Sequence, residues 1–261
     1  MGRKFYAKKS LGQNFLEDQR YVDLIIEHVR PAAGETIVEI GPGRGAITEK
    51  LLESGAKVIA IELDRELAPM LRDKFAGDLT VFEADALTVD FRELPGVDDK
   101  PMRLVANLPY NISTAILQRL IEFRDRFSDM TLMFQLEVVD RITAAPGSSD
   151  RGFLTVLVES YLDSRKLFDI PPSAFRPAPK VNSAVVELKP KAGQGPPIPE
   201  FRKLVSAAFA QKRKTILNNL KPVRPESREL IEAAGIDPLR RAETLTLPEW
   251  LRLFEAFTPP L

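Results

Sequence analysis

Apolar residues along this chain change their spacing in a regular order. In residues 17–29 they recur every three or four positions, at Val22, Ile25, Ile26 and Val29, which is one face of a helix. Pro31 to Gly34 stops that pattern. The short continuous run TIVEI (36–40) then predicts a buried strand, and the helical period returns in AITEKLLESG (46–55), closed by Gly55. The exchange repeats with KVIAIEL (57–63), LTVFEA (79–84), MRLVAN (102–107) and MTLMFQ (130–135) as strands, and ELAPMLRDKFA (66–76) and STAILQRLIEF (113–123) as helices. Strands separated by helices of about ten residues predict a parallel sheet covered on both faces.

Beyond residue 136 the alternation loosens. EVVDRIT (137–143) and FLTVLVESYL (153–162) have helical spacing, whereas RKLFDI (165–170) and NSAVVELK (182–189) read as late strands joined by the proline-rich PPSAFRPAPK (171–180). That makes seven strands in an α/β, doubly wound, mostly parallel sheet. The run PKAGQGPPIP (190–199) has little to bury and predicts a domain boundary, giving domains at 1–190 and 191–261. The second of these contains only helical patterns and predicts a small all-helical appendage.

Composition narrows the chemistry. The 261 residues contain no cysteine and one histidine, His28, which excludes disulfides, thiolate catalysis and His- or Cys-rich metal sites, and no metal is expected. No apolar run approaches the roughly 20 residues of a membrane span. Gly2 is not followed by Ser or Thr at position 6, so the acylation pattern fails, and the cytoplasm is the expected compartment. The formal net charge is zero, but its distribution is uneven. Residues 1–170 carry 22 Lys and Arg against 28 Asp and Glu, while residues 171–261 carry 15 against 9. A basic tail behind an acidic body is either a polyanion footprint or ordinary scatter.

Two loops carry candidate chemistry. Glu39, Gly41, Gly43 and Gly45 form a glycine-rich turn between the first strand and its helix, where the backbone can approach a ligand closely. Glu62 ends the next strand, 21 residues past Gly41, the place of a carboxylate that accepts ribose hydroxyls. Asp85, past the third strand, could accept the amine of an adenine; the bland alternatives are a salt bridge for Glu62 and a turn cap for Asp85. No Gly-Lys-Ser or Gly-Lys-Thr follows the turn, and Glu39 would repel a phosphate while tolerating a cation. This favours S-adenosylmethionine over a dinucleotide. The second loop, NLPY (107–110), would hold the target amine.

At this loop a family likeness becomes explicit. LGQNFL (11–16), VEIGPGRGAIT (38–48), IELD (61–64), ADAL (84–87), VANLPYNIST (105–114), FQLEVVDRI (134–142), FRPAPKVNSAVV (175–186) and AFAQKRKTILNNL (208–220) occur in order over nearly the whole chain. Together they resemble the ribosomal RNA adenine dimethylase family. The likeness is strongest to the branch that dimethylates two adjacent adenosines near the 3′ end of small-subunit ribosomal RNA. The resemblance implies a Rossmann-like methyltransferase domain, a helical RNA-substrate domain and S-adenosylmethionine as methyl donor. It implies Asn14, Leu16, Gly41, Gly43, Glu62, Asp85 and Asn107 as cofactor residues. Asn107, Leu108, Pro109 and Tyr110 become the catalytic turn, with Tyr110 and Phe175 as faces that stack on the target base or as simple packing.

Arg3, Lys4, Lys8 and Lys9, Arg176 and Lys180, and Lys212, Arg213 and Lys214 are then expected along the RNA backbone. The expected partner is small-subunit RNA in a partly assembled 30S particle, met by a monomer. A large-subunit RNA dimethylase, which more often carries Ile in place of Leu108, and an assembly protein that checks immature subunits are the alternatives.

Overall fold

The computed structural model describes residues 7–8, 11–94, 100–193 and 195–258. They fall into two compact units, Met1–Val139 with Arg165–Pro190, and Asp140–Ser164 with Lys191–Leu261. One cut lies where the proline-rich run at 190–199 suggested. The other assigns Asp140–Ser164 to the second unit, which no composition shift signals.

The first unit is built on strands β2 (Thr36–Ile40), β3 (Lys57–Glu62), β4 (Leu79–Glu83), β5 (Met102–Asn107), β6 (Phe127–Gln135), β7 (Leu162–Ile170) and β9 (Ser183–Pro190). They form a seven-stranded sheet in the order β4-β3-β2-β5-β6-β9-β7. The β2–β3, β3–β4, β2–β5 and β5–β6 pairs are parallel, and β9 runs antiparallel to β6. This is the Rossmann-like methyltransferase fold. A separate two-stranded ladder, β1 (Phe15–Leu16) against β8 (Phe175–Arg176), escaped the sequence pattern because two residues have no period.

Helices α1 (Gln19–Val29), α2 (Ala46–Glu53), α3 (Leu67–Lys74) and α4 (Ser113–Glu122) flank the sheet. Asp18 caps α1 through the Arg20 amide at 3.1 Å. Burial on both faces explains why β2 and β3 are continuous apolar runs: Ile37, Val38, Val58, Ile59, Ala60 and Ile61 are all buried.

The second unit contains α6 (Phe153–Tyr161), α7 (Ile198–Ala208), α8 (Ile216–Leu220), α9 (Ser227–Ala233) and α10 (Leu247–Phe257), while α5 (Leu136–Ile142) spans one cut and β7, whose first three residues belong to the second unit, spans another. Its aromatic core places the Phe201 ring edge-on to Tyr161 and Phe254, and stacks Trp250 on Phe209. Arg151 explains why 140–164 belongs here. Its buried guanidinium pairs with Glu159 and donates to the Ala144 and Leu245 carbonyls at 3.2 and 3.1 Å. The Gly147 amide also donates to the Glu243 carbonyl. Leu245 is 94 residues from Arg151 in sequence, so local composition carries no trace of that contact.

Candidate active site

Strand order reverses between β2 and β5. From β2 the chain builds outward through β3 and β4, whereas β5 and β6 extend the other way. Loops leaving the carboxyl ends of β2 and β5 therefore diverge and open a crevice between them. Ile40 pairs with Ala106 at the top of the ladder, so Gly41 and Asn107 emerge side by side. A Cβ on Gly41 would lie 3.2 Å from the Asn107 carbonyl oxygen, and Gly41 has φ +69°. Gly43, at φ +59°, leaves no room either, because a Cβ there would meet the Phe15 ring at 2.9 Å.

Two carboxyl groups are buried in the crevice wall. Glu62 accepts from the Gly43 amide at 3.3 Å and from the Asp64 amide at 2.8 Å. Burial raises its pKa against those amides. Glu39 is 2 % exposed and accepts from Thr48 Oγ1 at 2.6 Å. Desolvation pushes it up to about 7, with the neighbouring Glu62 charge acting in the same direction and the Thr48 bond opposing it. Arg44 turns its guanidinium onto the Phe15 ring, 4.5 Å from the centroid, and onto Glu17 at 2.6 Å.

The chain before α1 crosses this crevice as a strap. Gly12, Gln13, Asn14, Phe15 and Leu16 line the same cleft as Glu39, Glu62 and the Asn107–Tyr110 turn. The Asn14 carbonyl accepts from Asn107 Nδ2 at 3.2 Å. A carbonyl can only accept, so this contact orients the amide and leaves Asn107 Oδ1 as an acceptor. Pro109 sits at φ −57° and leads into a single 3-10 turn at Tyr110–Ile112. Tyr110 is half-buried, and its hydroxyl is 2.7 Å from Ser183 Oγ, which holds the ring in one orientation. Burial raises the phenol pKa, partly offset by that bond. Leu108 is buried, so only its backbone can face a ligand.

Most expected residues converge here. Asn14, Leu16, Gly41, Gly43, Glu62 and the four residues of the NLPY turn share the cleft. Asp85 is outside its lining: Asp85 Oδ1 accepts from the Leu87 amide at 2.9 Å, a turn-capping contact, while the preceding Ala84 amide donates to the Glu62 carbonyl at 3.1 Å. Phe175 corrects the reading as a base-stacking face. It is 1 % exposed, pairs with Leu16 in the β1–β8 ladder and belongs to the hydrophobic core. A ring held there by packing on all sides has no face to offer.

The basic residues divide similarly. Arg176 and Lys180 are exposed in the first unit, and Lys212, Arg213 and Lys214 are exposed in the second. Lys212 also donates to the Ser149 carbonyl at 2.7 Å. Lys8 is held in ion pairs with Asp64 and Glu66 at 2.7 and 3.2 Å. Arg3, Lys4 and Lys9 lie outside the described residues. Sequence reasoning passed over Gln13, Asp64 and Ser183, although each stands inside one of the motif blocks.

The donor set suits a cationic nucleoside. Buried carboxyls repel phosphate, accept hydroxyl hydrogens and tolerate an ammonium or sulfonium. A glycine turn and a strand-end acid at this switch point, with Asn-Leu-Pro-Tyr on the adjoining strand, define a methyltransferase that uses S-adenosylmethionine. Residues 4–258 match the family described as Ribosomal RNA adenine dimethylase, and the chain belongs to that family.

Its relatives include the Ribosomal RNA small subunit methyltransferase A of Hahella chejuensis, 45 % identical over 95 % of this chain and 91 % of that protein. The protein of the same name from Xanthomonas campestris pv. campestris (strain B100) is 45 % identical over 95 % of each. Among solved structures, a dimethyladenosine transferase from Plasmodium falciparum superposes with a TM-score of 0.77 at 27 % identity, covering 92 % of this chain and 95 % of its own. The 23S rRNA methyltransferase ErmE gives 0.68 at 27 % identity, covering 93 % and 99 %. The enzyme is thus a methyltransferase of ribosomal RNA adenines. Among the described residues, no helix is long and apolar enough to cross a membrane.

Proposed function

We propose that this enzyme dimethylates N6 of two adjacent adenosines near the 3′ end of small-subunit ribosomal RNA. It acts as a cytoplasmic monomer on a partly assembled small subunit, and so contributes to that subunit's maturation. The observation that carries the reading is the Asn107 amide, whose Nδ2 is committed to the Asn14 carbonyl and whose Oδ1 remains an acceptor. The small-subunit preference follows the relatives named Ribosomal RNA small subunit methyltransferase A, at 43–45 % identity over 95–97 % of this chain.

An adenine amine is a poor nucleophile because its lone pair is drawn into the ring. Asn107 Oδ1 and the Leu108 carbonyl accept its two hydrogens, favour a pyramidal nitrogen and stabilise the positive charge that develops there. Bound S-adenosylmethionine supplies an electrophilic methyl group on a sulfonium. Gly41 and Gly43 give the backbone room to approach that donor. Glu62 holds its ribose and Asp85 its adenine amine, while Asn14 and Leu16 cover it from the strap. After transfer the methylated nitrogen is acidic and releases its proton to water, so no strong base is needed. Tyr110, fixed by Ser183 at 2.7 Å, stacks on a base drawn out of its helix. Arg176, Lys180, Lys212, Arg213 and Lys214 meet RNA phosphates and position the substrate.

Transfer of labelled methyl groups to small subunits, large subunits and DNA, followed by mapping of the modified nucleotides, tests the reading. Incorporation is expected only in small subunits, at two adjacent adenosines. Asn107→Ala should fold, bind RNA and lose about 10²-fold in single-turnover rate, the scale of one transition-state hydrogen bond. Modification of large subunits alone would replace this reading with the large-subunit one. A rate within threefold of the parent would remove Asn107 from the chemical step.

A further inference from the structure

Asp64 joins the crevice wall to the strap. It is 3 % exposed and follows Glu62 by two residues. Its amide donates to Glu62 Oε1 at 2.8 Å. Asp64 Oδ1 accepts from Lys8 Nζ at 2.7 Å and from the Glu66 amide at 2.9 Å. Asp64 Oδ2 accepts from Gln13 Nε2 at 2.8 Å. The Gln13 amide cannot turn over, because its Oε1 accepts from the Lys8 amide at 2.8 Å. On either side of Gln13, the same strap meets the other two sides of the cleft. A Cβ on Gly12 would strike Asn111 Oδ1 at 2.8 Å, the Asn14 carbonyl holds Asn107, and Phe15 fills the space over Gly43.

We infer that Asp64 is a positioning residue whose bond to Gln13 latches the strap. Through Glu62 on one side and Asn14 on the other, it couples the ribose end of the cofactor cleft to Asn107. The inference rests on the reading of Glu62 and Asn107 given above. Burial alone would raise the Asp64 carboxyl, but Lys8, the Glu66 amide and Gln13 outweigh it and hold the group below the usual carboxylate value. The carboxylate is therefore present at neutral pH to receive both strap donors.

The split between the two oxygens permits a specific test. Asp64→Asn can keep Oδ1 on Lys8 and Glu66, while its new Nδ2 opposes Gln13 Nε2. Adding Gln13→Glu restores the bond with donor and acceptor exchanged, and the Lys8 amide still finds an acceptor.

Hydrogen exchange of residues 11–16 without cofactor, the dissociation constant for S-adenosylmethionine by calorimetry, and the thermal midpoint are read for the parent and both variants. Loss of a hydrogen bond to a charged group predicts exchange and dissociation constant both about tenfold higher in Asp64→Asn. Both should return to within threefold of the parent in the double variant, at a constant midpoint. An unchanged single variant, or a double variant no better than the single, overturns the latch. If Asp64→Asn does not fold, Gln13→Ala breaks the same bond from the strap side, and parental exchange there would overturn the proposal equally. The exchange arm needs no cofactor. A parent that binds no S-adenosylmethionine would therefore overturn the cofactor reading and the coupling, while exchange alone still decides the latch.

Discussion

Replacing Glu39 by Gln should stabilise the protein while weakening its methyl-donor site. Glu39 lies in the crevice wall, is 2 % exposed and has its carboxyl raised from 4.5 to about 7 by burial. Gln has nearly the same volume and can still accept from Thr48 Oγ1. Between pH 4.5 and pH 7 the folded chain holds a proton that the unfolded chain has released, so stability falls as pH rises through that window. Each pH unit is worth about 1.4 kcal/mol. The whole interval therefore corresponds to about 3 kcal/mol at pH 8, and to about 1 kcal/mol at pH 5. For a chain of this size, the difference raises the thermal midpoint of Glu39→Gln by roughly 5 °C or more at pH 8, and by much less at pH 5.

Affinity should move the opposite way. A neutral amide cannot pair with the cationic end of S-adenosylmethionine, so the dissociation constant should rise about tenfold, the equivalent of about 1.4 kcal/mol. Scanning calorimetry at the two pH values and titration calorimetry at pH 8 give the four numbers. A midpoint gain that is absent, or equal at pH 5 and pH 8, would refute the burial argument. A gain without loss of affinity would place Glu39 outside the donor site.

Tyr110→Phe should keep at least a third of the single-turnover rate, because it loses only the Ser183 bond, whereas Tyr110→Ala should lose the stacking face and about tenfold or more in RNA-dependent rate; equal effects would mean that the hydroxyl, not the ring, matters. Arg151→Met should destabilise the second unit by about 3 kcal/mol, since it strands Glu159 and the Ala144 and Leu245 carbonyls, and chemical denaturation would show it as an earlier transition. Changing Lys212, Arg213 and Lys214 together to Ala should weaken small-subunit binding and flatten its salt dependence without altering donor affinity; an unchanged slope in filter binding would make this a solvated face.

Local pattern determined much of this protein. The alternation of apolar runs and helical spacing marks the main strands, most plainly β2, β3 and β5, where burial on both faces imposes a continuous apolar sequence on each strand by itself. The turn at Gly41–Gly45 and the NLPY turn were legible for a related reason: positive φ and a fixed proline φ restrict residue type at single positions. Glu62 was legible from its spacing alone.

Tertiary structure decided what depends on residues distant in sequence. The insertion of antiparallel β9 between β6 and β7 leaves no mark in any one strand. An aromatic beside a proline-rich loop looks the same whether it faces solvent or core, and only the β1–β8 ladder buries Phe175. Lys8 reads as one more cation until Asp64 is folded against it. The working contacts join Gln13 to Asp64, Asn14 to Asn107 and Tyr110 to Ser183. Periodicity extends only over a turn or a pleat, so contacts between such distant residues exist only once the sheet has brought the ends of β2, β3 and β5 together.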